Sequence, residues 1–466
     1  MSRIGNLPTE LILLIASFLL SESYLAALAL SSRRLYGISN RYLYQYNVLH
    51  GNSSALDWAA QNGQMATLQK ALDAGAPLAK KQVKGKLKTP GPIISQFGRK
   101  YYRSFRKFPP HPISLAASAG HINIVRYMID RGVIVNMSDP DGFTLLALAA
   151  IHGYASLAKY LLEVGARQGI RSVLGHRPMG DKTDKDNLMT EALFAAVLGG
   201  WVPVVKVLFT YGVNMNFHFD GRTPLCIAAT NGMGDLVSLL LAYGASPDLP
   251  VGKRRSDIPL TAAVIEGHED IVRMLVNRTA SVHRTRALAF AVSRGSVRLA
   301  EILLQRGAPP EFCPSEIPKS WDEDEDWVQP FLAAAKRDSL ELVELLLDYG
   351  ADVNVQCFEH FDYGIEESYD RALLWAVHES QEAIVNLLLE RGADPETSDE
   401  TGQPVLTHAV YRESEALIRS LLDHGANPHQ AVDHRCKKLM SFRQMKQSTW
   451  AMLQEAEVEW TKQHPS

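Results

Sequence analysis

Cysteine is scarce in this chain of 466 residues. The four that occur are Cys226, Cys313, Cys357 and Cys436, and no two of them form a Cys-x-x-Cys pair. A disulfide framework or a zinc site would show a denser set at regular spacing, so the pattern argues against both. A few isolated thiols fit a reducing compartment, and we therefore expect the cytoplasm, the nucleus or both.

Long apolar runs and a strong charge of one sign are also lacking. The run 11–20 is too short to span a bilayer. Glu10 directly before this run and the lack of a convincing Ala-x-Ala cleavage site argue against a secretory signal peptide. A net charge of −3 gives no general attraction to nucleic acid or to a membrane surface. We expect neither a membrane nor a nucleic-acid partner.

Catalytic motifs are missing as well. The sequence contains no Gly-x-Ser-x-Gly, no phosphate-binding loop and no His-Glu-x-x-His. Its histidines are scattered. Cys357 and His360 are spaced like two zinc ligands, but no second pair of ligands accompanies them. We predict that the protein is not an enzyme and that it holds no metal and no cofactor.

One spacing is present ten times. An alanine followed by Ala or Val is followed, sixteen residues later, by Gly-Ala or a close variant. The leading alanines are Ala59, Ala116, Ala149, Ala196, Ala228, Ala263, Ala291, Ala334, Ala376 and Ala409. The positions sixteen residues on are Gly75, Gly132, Gly165, Gly212, Gly244, Thr279, Gly307, Gly350, Gly392 and Gly425. A fixed offset repeated so often predicts a stack of identical supersecondary units, and such stacks are usually binding surfaces.

The fifth copy shows how one unit is built. Thr223 can cap a first helix that begins at Pro224, a residue with no N–H to leave unpaired. Gly232 is suited to ending that helix, and Gly244 to ending the second helix, because both ends favour a left-handed backbone. In three late copies the mid-repeat glycine is replaced, so we expect those copies to fray more easily; the replacing residues are Asp338, Ser380 and Glu413.

These units resemble ankyrin repeats. The resemblance rests on the Asp-Gly-x-Thr-Pro-Leu start at 220–225, the Ala-Ala-x-x-Gly core and the Leu-Leu-x-x-Gly-Ala end. It implies an all-α ankyrin-repeat solenoid of about ten repeats with short β-finger turns over residues 52–430. The implied repeats are 52–80, 111–139, 141–169, 190–219, 220–250, 255–283, 284–312, 328–356, 369–399 and 400–430, with insertions at 80–110, 167–189, 311–328 and 357–368.

Residues 1–48 do not follow the repeat. The segment Leu-Pro-Thr-Glu-Leu at 7–11 opens a predicted helix, and a second and a third short helix follow. Leu11, Leu14, Ile15, Phe18 and Leu19 lie at helical spacing and form one apolar face. A segment this short with so much apolar surface makes a poor independent domain. Its face is therefore expected either to cap the first repeat or to dock on another protein.

The N-terminal segment resembles an F-box, a motif that binds the Skp1 adaptor of cullin-RING ubiquitin ligases. The resemblance is carried by Leu-Pro-x-Glu-Leu, by the leucines and isoleucine that follow, and by Arg-Leu-Tyr at 34–36. It implies adaptor contacts at Leu7, Pro8, Leu11, Ile15, Leu19, Leu25 and Leu28.

An F-box ahead of repeats is similar to the arrangement of fungal F-box/ankyrin proteins. The implied function is the substrate-recognition subunit of an SCF-type (Skp1-cullin-F-box) E3 ubiquitin ligase, with an unidentified protein target on the ankyrin stack. The alternative is a non-catalytic ankyrin scaffold or adaptor protein whose N-terminal helices only cap the stack.

The turn between the fourth and fifth repeats is the candidate target-binding site. Residues 216–221 alternate as in a hairpin with an Asp-Gly turn, so Phe217 and Phe219 point the same way. With Arg222 they are the expected target contacts, because aromatic and arginine side chains often dominate binding surfaces. The alternative is that the two rings pack on the neighbouring finger.

Two insertions carry opposite charge. Residues 80–107 hold ten Lys or Arg and no acid, with aromatic residues between them. That composition suits nucleic acid, an acidic peptide or a phosphorylated degron, but a solvated loop accounts for it as well and fits the near-neutral total charge better. Residues 311–328 contain five consecutive carboxylates between two tryptophans and lack the spaced ligands of a calcium loop, so a flexible acidic loop is expected.

Residues 431–466 form the expected C-terminal cap or tail. A helix is predicted around 445–460, with Trp450, Leu453 and Trp460 as its apolar residues. The end of a solenoid must be covered, and this helix is placed to cover the last repeat.

Overall fold

The structure is a computed structural model. It describes residues 7–19, 22–78, 111–139, 143–166, 187–217, 222–249, 258–311, 329–355, 371–399, 401–429 and 447–463. The chain divides into two compact units, which we call the first unit (Met1–Phe217) and the second unit (His218–Ser466).

The first unit begins with three helices and continues with four helix pairs. The three helices are α1 (Thr9–Phe18), α2 (Glu22–Leu30) and α3 (Arg33–His50). The pairs are α4 (Ser54–Gln61) with α5 (Met65–Asp73), α6 (Pro112–Ser118) with α7 (Ile122–Asp130), α8 (Leu145–Ile151) with α9 (Ala155–Glu163), and α10 (Asn187–Leu198) with α11 (Val202–Thr210). Each pair is one copy of the repeated sequence pattern.

The second unit contains six more pairs and a C-terminal helix. The pairs are α12 (Pro224–Thr230) with α13 (Gly234–Ala242), α14 (Pro259–Glu266) with α15 (Glu269–Leu275), α16 (Ser281–Ser293) with α17 (Val297–Gln305), α18 (Pro330–Lys336) with α19 (Leu340–Asp348), α20 (Ala372–His378) with α21 (Glu382–Glu390), and α22 (Val405–Tyr411) with α23 (Glu415–Asp423). The last helix is α24 (Gln447–Gln463).

The repeated alanines lie where neighbouring first helices meet. Within each unit the first helix of every repeat packs against the first helix of the next. All ten leading alanines are 0% exposed. A methyl side chain lets two helices approach closely, so these positions set the spacing of the stack. The predicted all-α ankyrin-type stack is confirmed.

The second helices end as predicted. All nine glycines at the sixteen-residue offset have positive φ, between 75° and 99°. Thr279 has φ −103°, and its hydroxyl donates to the carbonyl of Leu275 at 2.8 Å. Without the left-handed residue, α15 continues into a 3₁₀ turn (Val276–Arg278) and α16 begins at Ser281, ahead of the repeat boundary expected at 284.

The first helices α8 and α12 begin with a threonine side-chain cap, and the cap at Thr223 was predicted. Thr223 accepts a hydrogen bond from the backbone N–H of Cys226 at 3.1 Å, and Thr144 accepts one from Ala147 at 3.2 Å. Each hydroxyl satisfies one of the N–H groups that a helix start leaves unpaired.

The β-fingers are minimal. Among the described residues they contain isolated bridges, between Ser138 and Thr144 and between Ser398 and Pro404. In the last repeat Gly402 has φ 79° and closes the turn. The fingers are thus hairpin turns and not extended strands in the part of the chain that the structure describes.

Side chains at the start of four second helices tie their repeat to the one before it. They hydrogen-bond to a carbonyl at the end of the preceding first helix. The contacts are His121 Nε2 with Gln61 (3.0 Å), Trp201 Nε1 with Ile151 (2.9 Å), His268 Nε2 with Thr230 (3.2 Å) and Gln381 Nε2 with Ala335 (2.9 Å). These contacts account for the two histidines as structural residues.

The C-terminal helix α24 lies against the end of the last repeat. His429 Nδ1 is 3.1 Å from a carboxylate oxygen of Glu457, and His429 Nε2 is 3.3 Å from the hydroxyl of Thr461. Leu453 is fully buried, and Trp450 and Trp460 are half-buried. The observed helix runs from Gln447 to Gln463, close to the range expected from its apolar residues.

Candidate functional site

Helix α3 joins the N-terminal helices to the repeats. It packs against α1 and α2, and also against α4 and α5 of the first repeat. The core of the three-helix segment is small; its buried residues include Ile12, Ala16, Leu25, Ala29 and Leu35. Because α3 serves both neighbours, it covers the open end of the stack while α1 and α2 lie beyond it.

The Leu-Pro start of α1 is held by α3. The carbonyl of Pro8 accepts hydrogen bonds from the N–H groups of Leu11 (3.1 Å) and Ile12 (3.2 Å). Arg34 Nη2 donates to the carbonyl of Leu7 at 3.0 Å. Arg34 belongs to Arg-Leu-Tyr at 34–36, so two separated segments that carry the F-box resemblance meet in space.

Large apolar side chains of α1 and α2 face solvent. Phe18 is 74% exposed and Leu30 is 82% exposed. We call the full set the outward apolar residues: Leu11, Leu14, Phe18, Tyr24 and Leu30. Single exposed apolar residues are common, but five large ones on two short helices are unusual.

The expected adaptor contacts fall into three groups. Pro8 and Leu11 are exposed. Leu7, Ile15, Leu19 and Leu28 are half-buried. Leu25 is 1% exposed and belongs to the core, so its side chain stabilises the segment and does not reach the outer surface.

Four outward residues were absent from the expected contacts: Leu14, Phe18, Tyr24 and Leu30. The apolar face predicted for α1 is exposed or half-buried; its residues are Leu11, Leu14, Ile15, Phe18 and Leu19. The buried pair is Ile12 and Ala16, four residues apart. The small side chain of Ala16 is the signal that could have identified the inner face, because close helix contacts favour alanine.

Besides the packing of α3 on the first repeat, Lys70 on α5 forms a polar contact with α3. Its Nζ donates to the hydroxyl of Tyr36 at 3.0 Å and lies 5.0 Å from the centre of the Tyr36 ring. The hydrogen bond to Tyr36 raises the pKa of Lys70 above its ordinary value. A charged lysine therefore holds α3 on the first repeat.

The candidate target contacts are only partly described. Phe217 is half-buried at the end of the first unit, and Arg222 is half-buried in the second unit. Phe219 and the rest of the turn, 218–221, lie outside the described residues, so the predicted pair of aromatic rings stays a prediction.

Several other sequence features also lie outside the described residues. They are the basic segment 80–107, the acidic run 322–326, Cys357 and His360. The hypotheses about them stay predictions.

An open groove of about 590 Å³ lies between the starts of α13 and α15. Its lining includes Asp235, Ser238, His268, Glu269 and Met274. No group of three His, Cys, Asp or Glu residues that could hold a metal ion occurs in the described part of the chain. Of the helices described, none is both long and apolar enough to cross a bilayer.

Models of two related families match this chain. The family described as "Ankyrin repeats" matches residues 98–172, 173–251 and 331–432, and the family "Ankyrin repeat" matches 257–287. No F-box model matches the N-terminal residues.

Similar proteins share parts of the chain. The "Ankyrin repeat and KH domain-containing protein mask-1" of Caenorhabditis elegans is 27% identical over 60% of this chain and 10% of its own length. "Ankyrin repeat protein nuc-2" of Neurospora crassa is 26% identical over 62% of this chain and 25% of its own. The "Probable E3 ubiquitin-protein ligase XBOS32" of Oryza sativa is 32% identical over 35% of this chain and 38% of its own. The chain thus spans well under half the length of each.

A solved structure is also similar. The ankyrin repeat domain of Bcl-3 is 25% identical, with a TM-score of 0.41 over 49% of this chain and 96% of that one. Ankyrin repeats act as protein-binding scaffolds, so protein partners are implied for the stack. Because the family models match more than half of the residues, the chain belongs to the ankyrin-repeat family.

Proposed function

We propose that this protein is the substrate-recognition subunit of an SCF-type E3 ubiquitin ligase. In this proposal α1 and α2 bind a Skp1 adaptor, which connects the chain to a cullin-RING ligase. The ankyrin stack binds the protein target, in the cytoplasm, the nucleus or both.

The observation that carries the proposal is the exposure of the outward apolar residues. A partner that fully buries a leucine or phenylalanine side chain gains about 1.5–3 kcal/mol for each. Phe18 and Leu30 are largely exposed although Ile12 and Leu25 on the same helices are buried. The segment therefore has a small core and further apolar side chains that the described residues of the chain leave exposed.

The capping alternative explains α3 but not α1 and α2. Helix α3 packs on α4 and α5, which is what a cap must do. A segment that served only as a cap would have no need for apolar side chains such as Phe18 on its far side. Capping by α3 and docking by α1 and α2 are therefore compatible roles of one segment.

The mechanism is proximity. A target held on the stack stays near the ubiquitin-loaded conjugating enzyme, and the effective concentration of its lysines rises without chemistry from this chain. A relative named as a probable E3 ubiquitin-protein ligase aligns with 35% of this chain. This similarity is in line with a role in ubiquitination. On the target side the proposal keeps Phe217, Phe219 and Arg222 as contacts.

Co-purification of the full chain with a purified Skp1 adaptor tests the proposal. Leu14→Asp with Phe18→Asp puts two charges on the outward surface and leaves the core residues in place. If each site loses about 1.5–3 kcal/mol of binding free energy, the dissociation constant for the adaptor rises by roughly 100-fold or more.

The matched control is Ile134→Asp, a change at an exposed apolar residue of the repeats. It should bind the adaptor like the wild type. Circular dichroism checks that all variants stay folded. A folded wild type that captures no adaptor would rule the proposal out, and so would equal binding by the double variant.

A further inference from the structure

The junction between α3 and α4 has an unusual backbone. Asn52 and Ser53 both have positive φ, 51° and 57°. A left-handed backbone is unfavourable for residues other than glycine and persists only where the surroundings hold it in place. Two such residues in succession indicate a turn that the surrounding contacts fix.

Asn47 supplies those contacts. It is 2% exposed, and its backbone carbonyl accepts hydrogen bonds from the N–H groups of Gly51 (2.8 Å) and Ser53 (3.1 Å). Its side-chain Nδ2 donates to the hydroxyl of Ser54 at 2.7 Å, and its Oδ1 accepts from the N–H of Ala55 at 3.0 Å. One buried amide therefore bridges the end of α3 and the start of α4.

The bridge replaces an ordinary helix cap. Ser53 stands at the cap position of α4 but makes no side-chain capping bond. The N–H of Ala55 is satisfied by Asn47 of the preceding helix instead. Because the cap comes from α3, α4 cannot change its angle to α3 without losing it.

Gly51 leaves room for this bridge. Its φ of −100° is available to any residue, so its backbone does not require glycine. A Cβ at this position would lie 2.6 Å from Nδ2 and 2.9 Å from the carbonyl oxygen of Asn47. The missing side chain allows the close approach.

A second attachment lies near the other end of α3. Tyr36 bonds to Lys70 of the first repeat. Tyr36 and Asn47 are about 16 Å apart along the helix axis at 1.5 Å per residue. Two attachments separated by that distance oppose rotation of α3 on the repeat, whereas one alone would allow a pivot.

We propose that Asn47 is a positioning residue that locks the N-terminal helices and the first repeat into one rigid body. The biological meaning rests on the proposed function: a rigid junction holds the adaptor-binding helices at a constant distance from the stack. A target bound to the repeats is then presented in a defined direction.

Pulsed electron spin resonance on the full chain measures the rigidity of the α3–α4 junction as the distribution of distances between two spin labels. Spin labels attached through unnatural ketone side chains at Ala27 on α2 and Lys159 on α9 leave the native cysteines unchanged; both positions are exposed. We expect one narrow distance distribution in the wild type. Asn47→Ala, with the repeats still folded by circular dichroism, should roughly double its width, because the side-chain hydrogen bonds to Ser54 and Ala55 are lost while the backbone carbonyl bonds remain.

Asn47→Asp is the matched control. Its carboxylate can still accept from the N–H of Ala55, and the Ser54 hydroxyl can turn to donate to it. We expect this variant to keep the narrow distribution. A narrow distribution in folded Asn47→Ala would overturn the proposal, and so would equal broadening by Asn47→Asp.

Ser54→Ala covers the case in which Asn47→Ala does not fold. It removes only the hydroxyl that accepts the Nδ2 hydrogen bond. We expect the width of the distance distribution to lie between the wild-type width and twice that width. No broadening would count against the junction. The measurement contains no adaptor, so a failure of adaptor binding and a failure of rigidity are separate results.

Discussion

At the residue scale, each of the last three repeats contains a strained backbone position. Asp338, Ser380 and Glu413 take the place of the mid-repeat glycine and keep its positive φ, at 55°, 60° and 53°. The helices on both sides of each residue are intact. The strain is therefore held by the surrounding packing, and the expected fraying of these repeats stays a prediction.

Glu413→Gly tests this strain. A left-handed backbone costs a residue other than glycine about 1–2 kcal/mol, and the greater freedom of glycine in the unfolded chain offsets part of the gain. We expect the free energy of unfolding to rise by about 0.5–1 kcal/mol, measured by urea denaturation of the transition that reports the last repeats.

The control for this substitution is Glu415→Gly, two residues further on in the helix α23. That change should lower the free energy of unfolding, because glycine is a poor helix former and the acidic side chain favours a helix start. If both substitutions destabilise the chain equally, the positive φ at Glu413 stores no strain.

Asp399 gives the last repeat a dependence on pH. Its carboxylate accepts hydrogen bonds from the hydroxyl of Thr401 (2.7 Å), the N–H of Gln403 (2.8 Å) and the ring of His408 (2.9 Å). Burial alone would raise the pKa of Asp399, but the bonds from Thr401, Gln403 and His408 together outweigh it and hold the pKa below its ordinary value.

A depressed pKa in the folded state means that the ionised carboxylate stabilises the fold. That stability is present above about pH 4, the value for an unfolded chain, and is lost as the pH falls through the folded value. We expect Asp399→Asn to lose less stability than the wild type between pH 5 and pH 3, measured by urea denaturation.

The control is Asp423→Asn, at an exposed position of α23, whose stability should follow that of the wild type as the pH falls. Parallel profiles for all three proteins would contradict this role of Asp399.

At the element scale, we expect α24 to cover the end of the last repeat. Leu453 is fully buried, whereas Val458 on the same helix is largely exposed. Removing a buried leucine side chain leaves a cavity, so we expect Leu453→Ala to lower the free energy of unfolding by about 2–5 kcal/mol. Val458→Ala should change it by no more than about 0.5 kcal/mol. Equal effects in thermal or urea unfolding would show that α24 does not act as a cap.

The repeats could be predicted from sequence because each one carries the same spacing. The buried alanines and the left-handed glycines are physical requirements of close helix packing and of sharp turns, so their offset predicts both. Thr279, in place of the glycine, indicated that this repeat ends differently from the others, but it did not indicate which structure replaces the usual turn. Losing the left-handed residue excludes the usual turn without showing that a 3₁₀ turn and an early α16 replace it.

The N-terminal helices were less predictable. The spacing predicted α1 and one apolar face that includes Phe18, but it did not show that Ile12 and Ala16 are the buried residues. The list of adaptor contacts followed from the F-box resemblance, which includes Leu25 and does not include Phe18. Which residues of α1 are buried depends on how α1 packs against α3, and this is tertiary information.

At the scale of the whole molecule, each part of the chain has a separate role. The repeats are the part that the family comparisons identify, and protein binding follows from them. The N-terminal helices lie outside the matched residues, and their proposed role rests on the outward apolar residues. Helix α3 connects the two, because the same helix completes the core of α1 and α2 and covers the first repeat.

Amide hydrogen exchange of the full chain, with and without saturating purified Skp1 adaptor, tests the central claim most directly. The account predicts slower exchange in peptides that cover α1 and α2. Peptides from the repeats α6 to α11 should exchange at the same rate in both samples, which serves as the internal control. No change in α1 and α2 at saturating adaptor, or slower exchange confined to the repeats, would contradict the account.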